Sequence, residues 1–91
     1  MVEAGSNPRP TGQVEGKDLG DEYMFYDRAA DRVHVLNGTA RDIFMLCDGK
    51  HSPEQIAREM AERYGIDEPR AREDTEQTLR ELVGLGLVVA G

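Results

Sequence analysis

The chain has 91 residues, and 18 acidic against 11 basic side chains give it a formal net charge of −7. A chain of this size suits one small domain with little room for an enclosed active site, which favours a binding module over an enzyme. The acidity argues against nucleic acid and anionic membrane surfaces as partners, because lysine and arginine side chains are needed to neutralise phosphates.

Residues 1–12, MVEAGSNPRPTG, contain glycine and proline and almost nothing apolar, so they predict a disordered tail ahead of one domain over residues 13–91. The tail lacks the apolar core of a signal peptide. No stretch approaches the roughly 18 apolar residues of a membrane-spanning helix. The single cysteine, Cys47, excludes an intrachain disulfide and fits a reducing compartment. We therefore expect a cytoplasmic protein.

Three stretches then predict strands. QVEGKDL (13–19) is the weakest because it contains Gly16. DEYMFYD (21–27) and RVHVLN (32–37) are rich in aromatic and β-branched residues, and RAAD between them predicts the turn of an antiparallel hairpin. Apolar side chains fall on both faces of this hairpin, so the alternation leaves open which face is buried.

Helical spacing follows the hairpin. Ala40, Ile43, Phe44 and Cys47 lie at i, i+3, i+4 and i+7 and predict a helix over residues 39–47, with Gly49 as its stop.

A second helix begins with a capping box of Ser52 and Gln55, has Pro53 in its first turn, and stops at Gly65. Its predicted buried stripe is Ile56, Met60 and Tyr64.

A third helix is predicted from about Pro69 to Val83, and GLGLVVAG after it predicts a turn and a short strand. Its stripe is Ala71, Thr75, Thr78, Leu79 and Leu82. The expected fold class is therefore α+β and winged-helix-like, with a two- or three-stranded antiparallel sheet followed by three α-helices.

The side chains that could carry chemistry have simpler structural explanations. Cys47 lies on an apolar stripe, which predicts core packing. His34 and His51 have no neighbours at metal-ligand spacing, so no metal site is predicted, although His34 on a strand could face a partner. Asp48 and Gly49 are typical of a turn. We therefore predict no catalytic residue and no cofactor.

The order of these elements resembles the PqqD-like family. The shared pattern is a strand ending in Leu-Asn, a helix closing at Asp-Gly, a capped second helix, and a third helix with an aspartate before Leu-x-x-x-Gly-Leu. In this chain the pattern falls on Leu36-Asn37, Asp48-Gly49, Ser52, Asp74, and Leu82 with Gly86-Leu87. The resemblance covers about residues 22–88.

The resemblance implies a non-catalytic peptide chaperone or adaptor. Such precursor-peptide recognition elements bind the leader of a ribosomally made precursor peptide and present it to a modifying enzyme, often a radical S-adenosylmethionine enzyme. Pyrroloquinoline quinone biosynthesis is one such pathway. The product and the cognate peptide stay open.

The resemblance also implies where the peptide binds, which is by strand addition between the last hairpin strand and the third helix. The strand positions are Arg32, Val33, His34, Val35 and Leu36, and the helix positions are Thr75, Thr78, Leu79 and Leu82. The helix positions also form the apolar stripe, so core packing is the alternative for them. An open sheet edge can also pair with a second copy, which leaves a homodimer open.

The alternative function is a small winged-helix regulator that binds DNA or a protein partner. Residues 68–83 carry five acidic side chains against three arginines, so the helix that would enter the major groove is net negative. That charge argues against DNA.

Overall fold

The computed structural model describes residues 7–12, 15–28 and 30–89. Its elements are β1 (Arg9–Pro10), β2 (Glu15–Asp18), β3 (Tyr23–Asp27), β4 (Arg32–Leu36), α1 (Gly38–Met45), α2 (Pro53–Tyr64), α3 (Glu68–Gly84) and β5 (Val88–Val89). In the described part of the chain, β2, β3 and β4 form an antiparallel three-stranded sheet in that order, and β1 pairs with β5. The α+β prediction is confirmed, and the main sheet has three strands.

The register of the β3–β4 hairpin decides which face is buried. Tyr23 lies opposite Leu36, and Phe25 lies opposite His34. Phe25 is 1% exposed and belongs with Leu36 to the hydrophobic core that the helices complete. The face that carries these four side chains is therefore the inner face of the sheet.

The outer face of the sheet keeps apolar side chains in solvent. Met24 lies opposite Val35, and Tyr26 lies opposite Val33. All four are exposed, and none of them belongs to the core clusters. The alternation of the sequence could not separate the two faces because both are apolar.

Gly16 weakens the sequence signal for β2 but has a packing role in the structure. It pairs with Phe25, and the Tyr23 side chain lies over it so closely that an added Cβ would overlap the Tyr23 ring. Tyr23 also contacts Phe44, with ring centroids 4.9 Å apart. A glycine in this strand therefore lets an aromatic side chain cross the inner face. Residues 13 and 14 of the predicted strand lie outside the described residues.

The first helix ends earlier than predicted. Asn37 caps α1, because its side chain accepts a hydrogen bond from the Ala40 amide at 2.9 Å. The helix ends at Met45 with a right-handed C-cap at Leu46. Gly49 does adopt positive φ, 81°, but it lies in the loop and does not terminate the helix, so that assignment is wrong. Cys47 follows the helix and is buried all the same.

The second helix follows its sequence signals closely. Ser52 and Gln55 form both halves of the capping box, and Gly65 ends α2 with φ of 66°. Tyr64 departs from the prediction, since it is 45% exposed. Small side chains complete the buried face instead: Ala57 and Ala61 form a second cluster with Ala71 of α3.

The N-terminal segment is the clearest correction to the sequence analysis. Arg9 and Pro10 pair with Val89 and Val88. The Gly49 amide donates to the Pro8 carbonyl at 2.8 Å. The prediction of a disordered tail is therefore wrong for residues 7–12, because long-range backbone pairing orders a stretch with no hydrophobic pattern. Residues 1–6 lie outside the described residues.

Candidate functional site

The candidate site begins at the free edge of the main sheet. β4 is an edge strand in the part of the chain that the structure describes. An edge strand directs alternate backbone N–H and C=O groups away from its neighbour, where another strand can pair with them. Val33 and Val35 are 61% and 54% exposed on this strand. The sheet therefore presents a backbone edge whose outer-face side chains at Val33 and Val35 are apolar.

The inner-face side chains of β4 are more enclosed. The His34 ring stacks on Phe25, with centroids 4.9 Å apart and an interplanar angle of 12°. Its Nε2 atom lies 3.9 Å from the Asp27 carboxylate, and a quarter of the side chain is exposed. His34 therefore lies on the core-facing side of β4, beside the edge that a partner would meet. Leu36 is buried and Arg32 is exposed.

A depression lies between the end of β4 and the middle of α3. Asn37, Thr39 and Ala40 form one side of it, and its volume is about 210 Å³. The side supplied by α3 consists of Asp74, Gln77, Thr78 and Glu81. We call this depression the outer groove. Because Asn37 directly follows β4, a chain paired with β4 that continued past Leu36 would enter it.

The four α3 positions predicted from the resemblance differ in accessibility. Thr78 is half-buried and lines the outer groove. Leu79 is partly buried against the main core, while Thr75 and Leu82 are each 1% exposed. Thr78 is thus the position most available to a peptide at this groove, and the role of all four stays a prediction.

A second cavity lies where the three helices meet, and exposed side chains such as Tyr64 and Arg70 line it together with buried ones. It has a volume of about 290 Å³ and is walled by Ile43, Met60 and Ala71, among others. Thr39 and Asp74 line both this cavity and the outer groove. We call it the inner cavity. The sequence pattern did not predict this cavity. The one residue that hinted at it was Thr75, a threonine on the buried stripe of α3.

A polar network fixes α1 in place. The Asp42 carboxylate accepts a hydrogen bond from the Tyr64 hydroxyl and forms ion pairs with Arg41 at 2.9 Å and Arg63 at 3.7 Å. The Tyr64 hydrogen bond, followed by the arginines, lowers the pKa of Asp42. Arg41 also binds Asp18 of β2 at 2.6 Å and lowers its pKa to about 2. The network therefore ties α1 to both β2 and α2.

The remaining candidates for chemistry have structural roles. Cys47 donates its thiol hydrogen to the Ile43 carbonyl, and burial raises the pKa of the thiol to about 12. Asp48 accepts from the Lys50 amide and contacts His51 at 2.9 Å, which lowers the pKa of the aspartate. Among the described residues, no three His, Cys, Asp or Glu side chains cluster as metal ligands would. Within the same residues, no helix has the length and apolarity to cross a membrane.

Two solved structures share this architecture. One is TbiB1 in complex with the TbiA(beta) leader peptide, which superposes with a TM-score of 0.76 at 21% identity over 88% of this chain and 93% of that one. The other is lasso peptide synthetase B1 complexed with the leader peptide, with a TM-score of 0.77 at 19% identity over 91% and 98%. At these identities the likeness establishes the fold.

The sequence itself matches a family model. No curated protein matches the chain closely. The model for coenzyme PQQ synthesis protein D (PqqD) matches residues 22–88, which include β3, β4 and all three helices. The chain belongs to the PqqD family.

Proposed function

We propose that this protein binds the leader of a ribosomally made precursor peptide along the edge of β4 and presents it to a modifying enzyme. The protein itself is then an adaptor without a catalytic role. The observation that carries the proposal is the open edge of β4, with two exposed valines on one side and a groove at its end. Family membership and two similar folds solved with leader peptides support it.

Strand addition would let this edge bind a peptide through backbone groups that are the same in every sequence. Main-chain hydrogen bonds supply affinity, and alternate side chains supply specificity. Side chains of the peptide that face outward would lie beside Val33 and Val35. Those that face inward would lie beside His34 and Leu36, on the side where α3 completes the core.

The modifying enzyme is the second partner in this proposal. The resemblance implies a radical S-adenosylmethionine enzyme, whose iron–sulfur cluster would be its own. Because precursor peptides are made by ribosomes, the complex would form in the cytoplasm. A bound leader extends the sheet by one strand and leaves the outer face, with Met24 and Tyr26 exposed, free for the enzyme.

The direct test is a titration of the purified protein with a labelled leader peptide from a precursor encoded beside it, followed by fluorescence anisotropy. We expect saturable binding, and no binding of a scrambled peptide of equal composition. Duplex DNA serves as the competitor at physiological salt, where an acidic surface should bind it weakly. Tight DNA binding together with no binding of any leader would contradict the proposal.

A further inference from the structure

The open edge of β4 is in contact with water whenever no leader is bound. Val33 and Val35 on this strand are 61% and 54% exposed. Met24 and Tyr26 lie opposite these valines on β3 and extend the apolar surface of the outer face. An unpaired edge strand with apolar side chains readily pairs with another strand. The leader-free protein therefore presents an edge that favours a second occupant.

The sequence of β4 is suited to pairing with a second copy of itself. When two RVHVL strands run antiparallel about a twofold axis at His34, Val33 of each copy lies opposite Val35 of the other. Side chains directly opposite each other share a face of the sheet, so the valines of both copies would form one apolar row. The register also brings together residues whose backbone groups point to the same side of β4, as antiparallel pairing requires.

The ends of the two strands complement each other in charge. In this register Arg32 lies opposite Leu36 of the second copy, the last residue of β4 before the outer groove. Asp74 and Glu81 of α3 line that groove. Asp74 already faces Arg70 at 4.0 Å. Within the described part of the chain, neither Arg32 nor Glu81 forms an ion pair, so each is available to the other copy.

The size of this contact makes it weak. A stable interface buries about 800 Å² of each partner, and an edge of five residues with an ion pair at each end falls below that. We expect a dissociation constant on the order of 100 μM. The edge is therefore free in dilute protein and paired in concentrated protein.

We propose that β4 pairs with β4 of a second copy when no leader is bound, and that the leader and the second copy exclude each other. The proposal rests on the proposed function, because both occupants use the same edge. Leader binding then converts the dimer into leader-bound monomers. The dimer covers the exposed edge, and it gives a leader a competitor that only a specific peptide displaces.

Cross-linking tests the register of the dimer. His34→Cys places two thiols opposite each other on the twofold axis, with Cα atoms about 4.5–5.5 Å apart, a separation that a disulfide spans. Mild oxidation with diamide should link most of the concentrated protein, and little of Lys17→Cys, the matched control on the β2 edge. Cys47 is buried and should not contribute. Equal cross-linking of the two variants would overturn the register.

A charge exchange tests the contact between Arg32 and Glu81. Arg32→Glu should raise the dissociation constant of the dimer, measured by sedimentation equilibrium, about two- to thirtyfold, because the twofold axis repeats the contact. Adding Glu81→Arg should restore dimerisation. Adding Glu73→Arg instead, at an exposed position elsewhere on α3, changes the net charge equally and should not restore it. Equal restoration by both would overturn the contact.

Competition separates the dimer from the proposed function. Adding leader to the concentrated, unmodified protein should shift its sedimentation from dimer to leader-bound monomer. A protein that stays monomeric at about 1 mM overturns the dimer alone, because leader binding is measured in dilute protein. A leader that binds the intact dimer overturns the shared edge. If the dimer forms and no leader binds, the proposed function fails while the cross-link still reports β4 pairing, and the exclusion fails with it.

Discussion

The two edges of the three-stranded sheet differ sharply. β2 has the sequence EGKD and is exposed at every position. Its end residues form ion pairs with other parts of the chain: Glu15 with Arg28 at 2.7 Å, and Asp18 with Arg41 at 2.6 Å. β4 has the sequence RVHVL, and two valines are its most exposed apolar side chains.

The difference indicates which edge of the sheet is open to strand addition. Charged side chains on an edge strand are a common protection against unwanted pairing, and β2 carries three of them in four residues. β4 lacks that protection along its centre, although an exposed apolar edge favours aggregation. A protein that protects one edge and leaves the other open has one edge available for a partner strand.

The largest expected effect comes from removing a backbone donor at the open edge. The N–H groups of Val33 and His34 face opposite sides of β4, so one of Val33→Pro and His34→Pro removes a donor from the open edge. The variant that keeps its fold by circular dichroism should weaken leader binding about a hundredfold in anisotropy titrations, because proline removes an N–H group and its ring obstructs the approaching strand, a loss of about two hydrogen bonds. Alanine at the same position keeps the N–H group and is the matched control. Equal weakening by the proline and alanine variants would contradict binding through the backbone of β4.

A smaller effect is expected from disturbing the attachment of β2. Gly16→Ala would place a Cβ against the Tyr23 ring, so we expect a loss of about 1–3 kcal/mol in the free energy of unfolding, as overpacking produces. Urea denaturation measures it. Gly84→Ala is the control and should cause no such loss, because Gly84 has open space around it. Gly12→Ala is unsuitable because Gly12 has positive φ. Leader affinity should stay within about twofold in both variants, because β4 is untouched. A large loss of affinity in Gly16→Ala would show that binding depends on the β2 edge.

Placing charged side chains on β4, such as those that β2 carries, should weaken leader binding severalfold. Val33→Lys with Val35→Lys replaces two cross-strand contacts of about 0.2–1 kcal/mol each while leaving the backbone donors in place. Both side chains are more than half exposed, so stability should change by no more than about 0.5 kcal/mol. Titration with the same leader measures the affinity, and Lys17→Val is the control with unchanged affinity. An unchanged affinity in the double variant would mean that the outer-face valines do not contact the peptide.

The smallest effect concerns the ion pair that holds β2 to α1. Arg41 lowers the folded-state pKa of Asp18 to about 2, so the stabilisation is present above the ordinary aspartate pKa near 4 and is lost as the pH falls towards 2. As the pH is lowered from 7 to 2, the melting temperature of Asp18→Asn should therefore fall less than that of the unmodified protein. Combining it with Arg41→Gln should be non-additive. Identical pH profiles of Asp18→Asn and the unmodified protein would show that the ion pair between Asp18 and Arg41 does not stabilise the fold.

Local signals predicted the helices well and the contacts between distant segments poorly. Ser52, Gln55 and Gly65 define α2 through interactions within a few residues of each other, so its limits could be read from the sequence. The pairing of Arg9 with Val89 could not, because it joins two-residue strands 80 positions apart. No local pattern marks such a contact.

The candidate site was predicted only in part for the same reason. The strand RVHVL was recognisable by composition, but its inner and outer faces were settled by packing, which buries Leu36 and leaves Val35 exposed. The inner cavity depends on how α1, α2 and α3 meet, and Thr75 becomes an unpaired buried hydroxyl only in that arrangement. Spacing along one helix could not reveal it.

Backbone hydrogen exchange with and without a bound leader tests the central claim most directly. Edge amides that gain a partner strand exchange more slowly, and each amide reports its own position. We expect added protection at alternate residues of β4, Arg32–Leu36, and no change along β2, Glu15–Asp18. Protection that appears on β2, or a saturated complex in which the amides of β4 exchange as fast as in the free protein, would contradict the account.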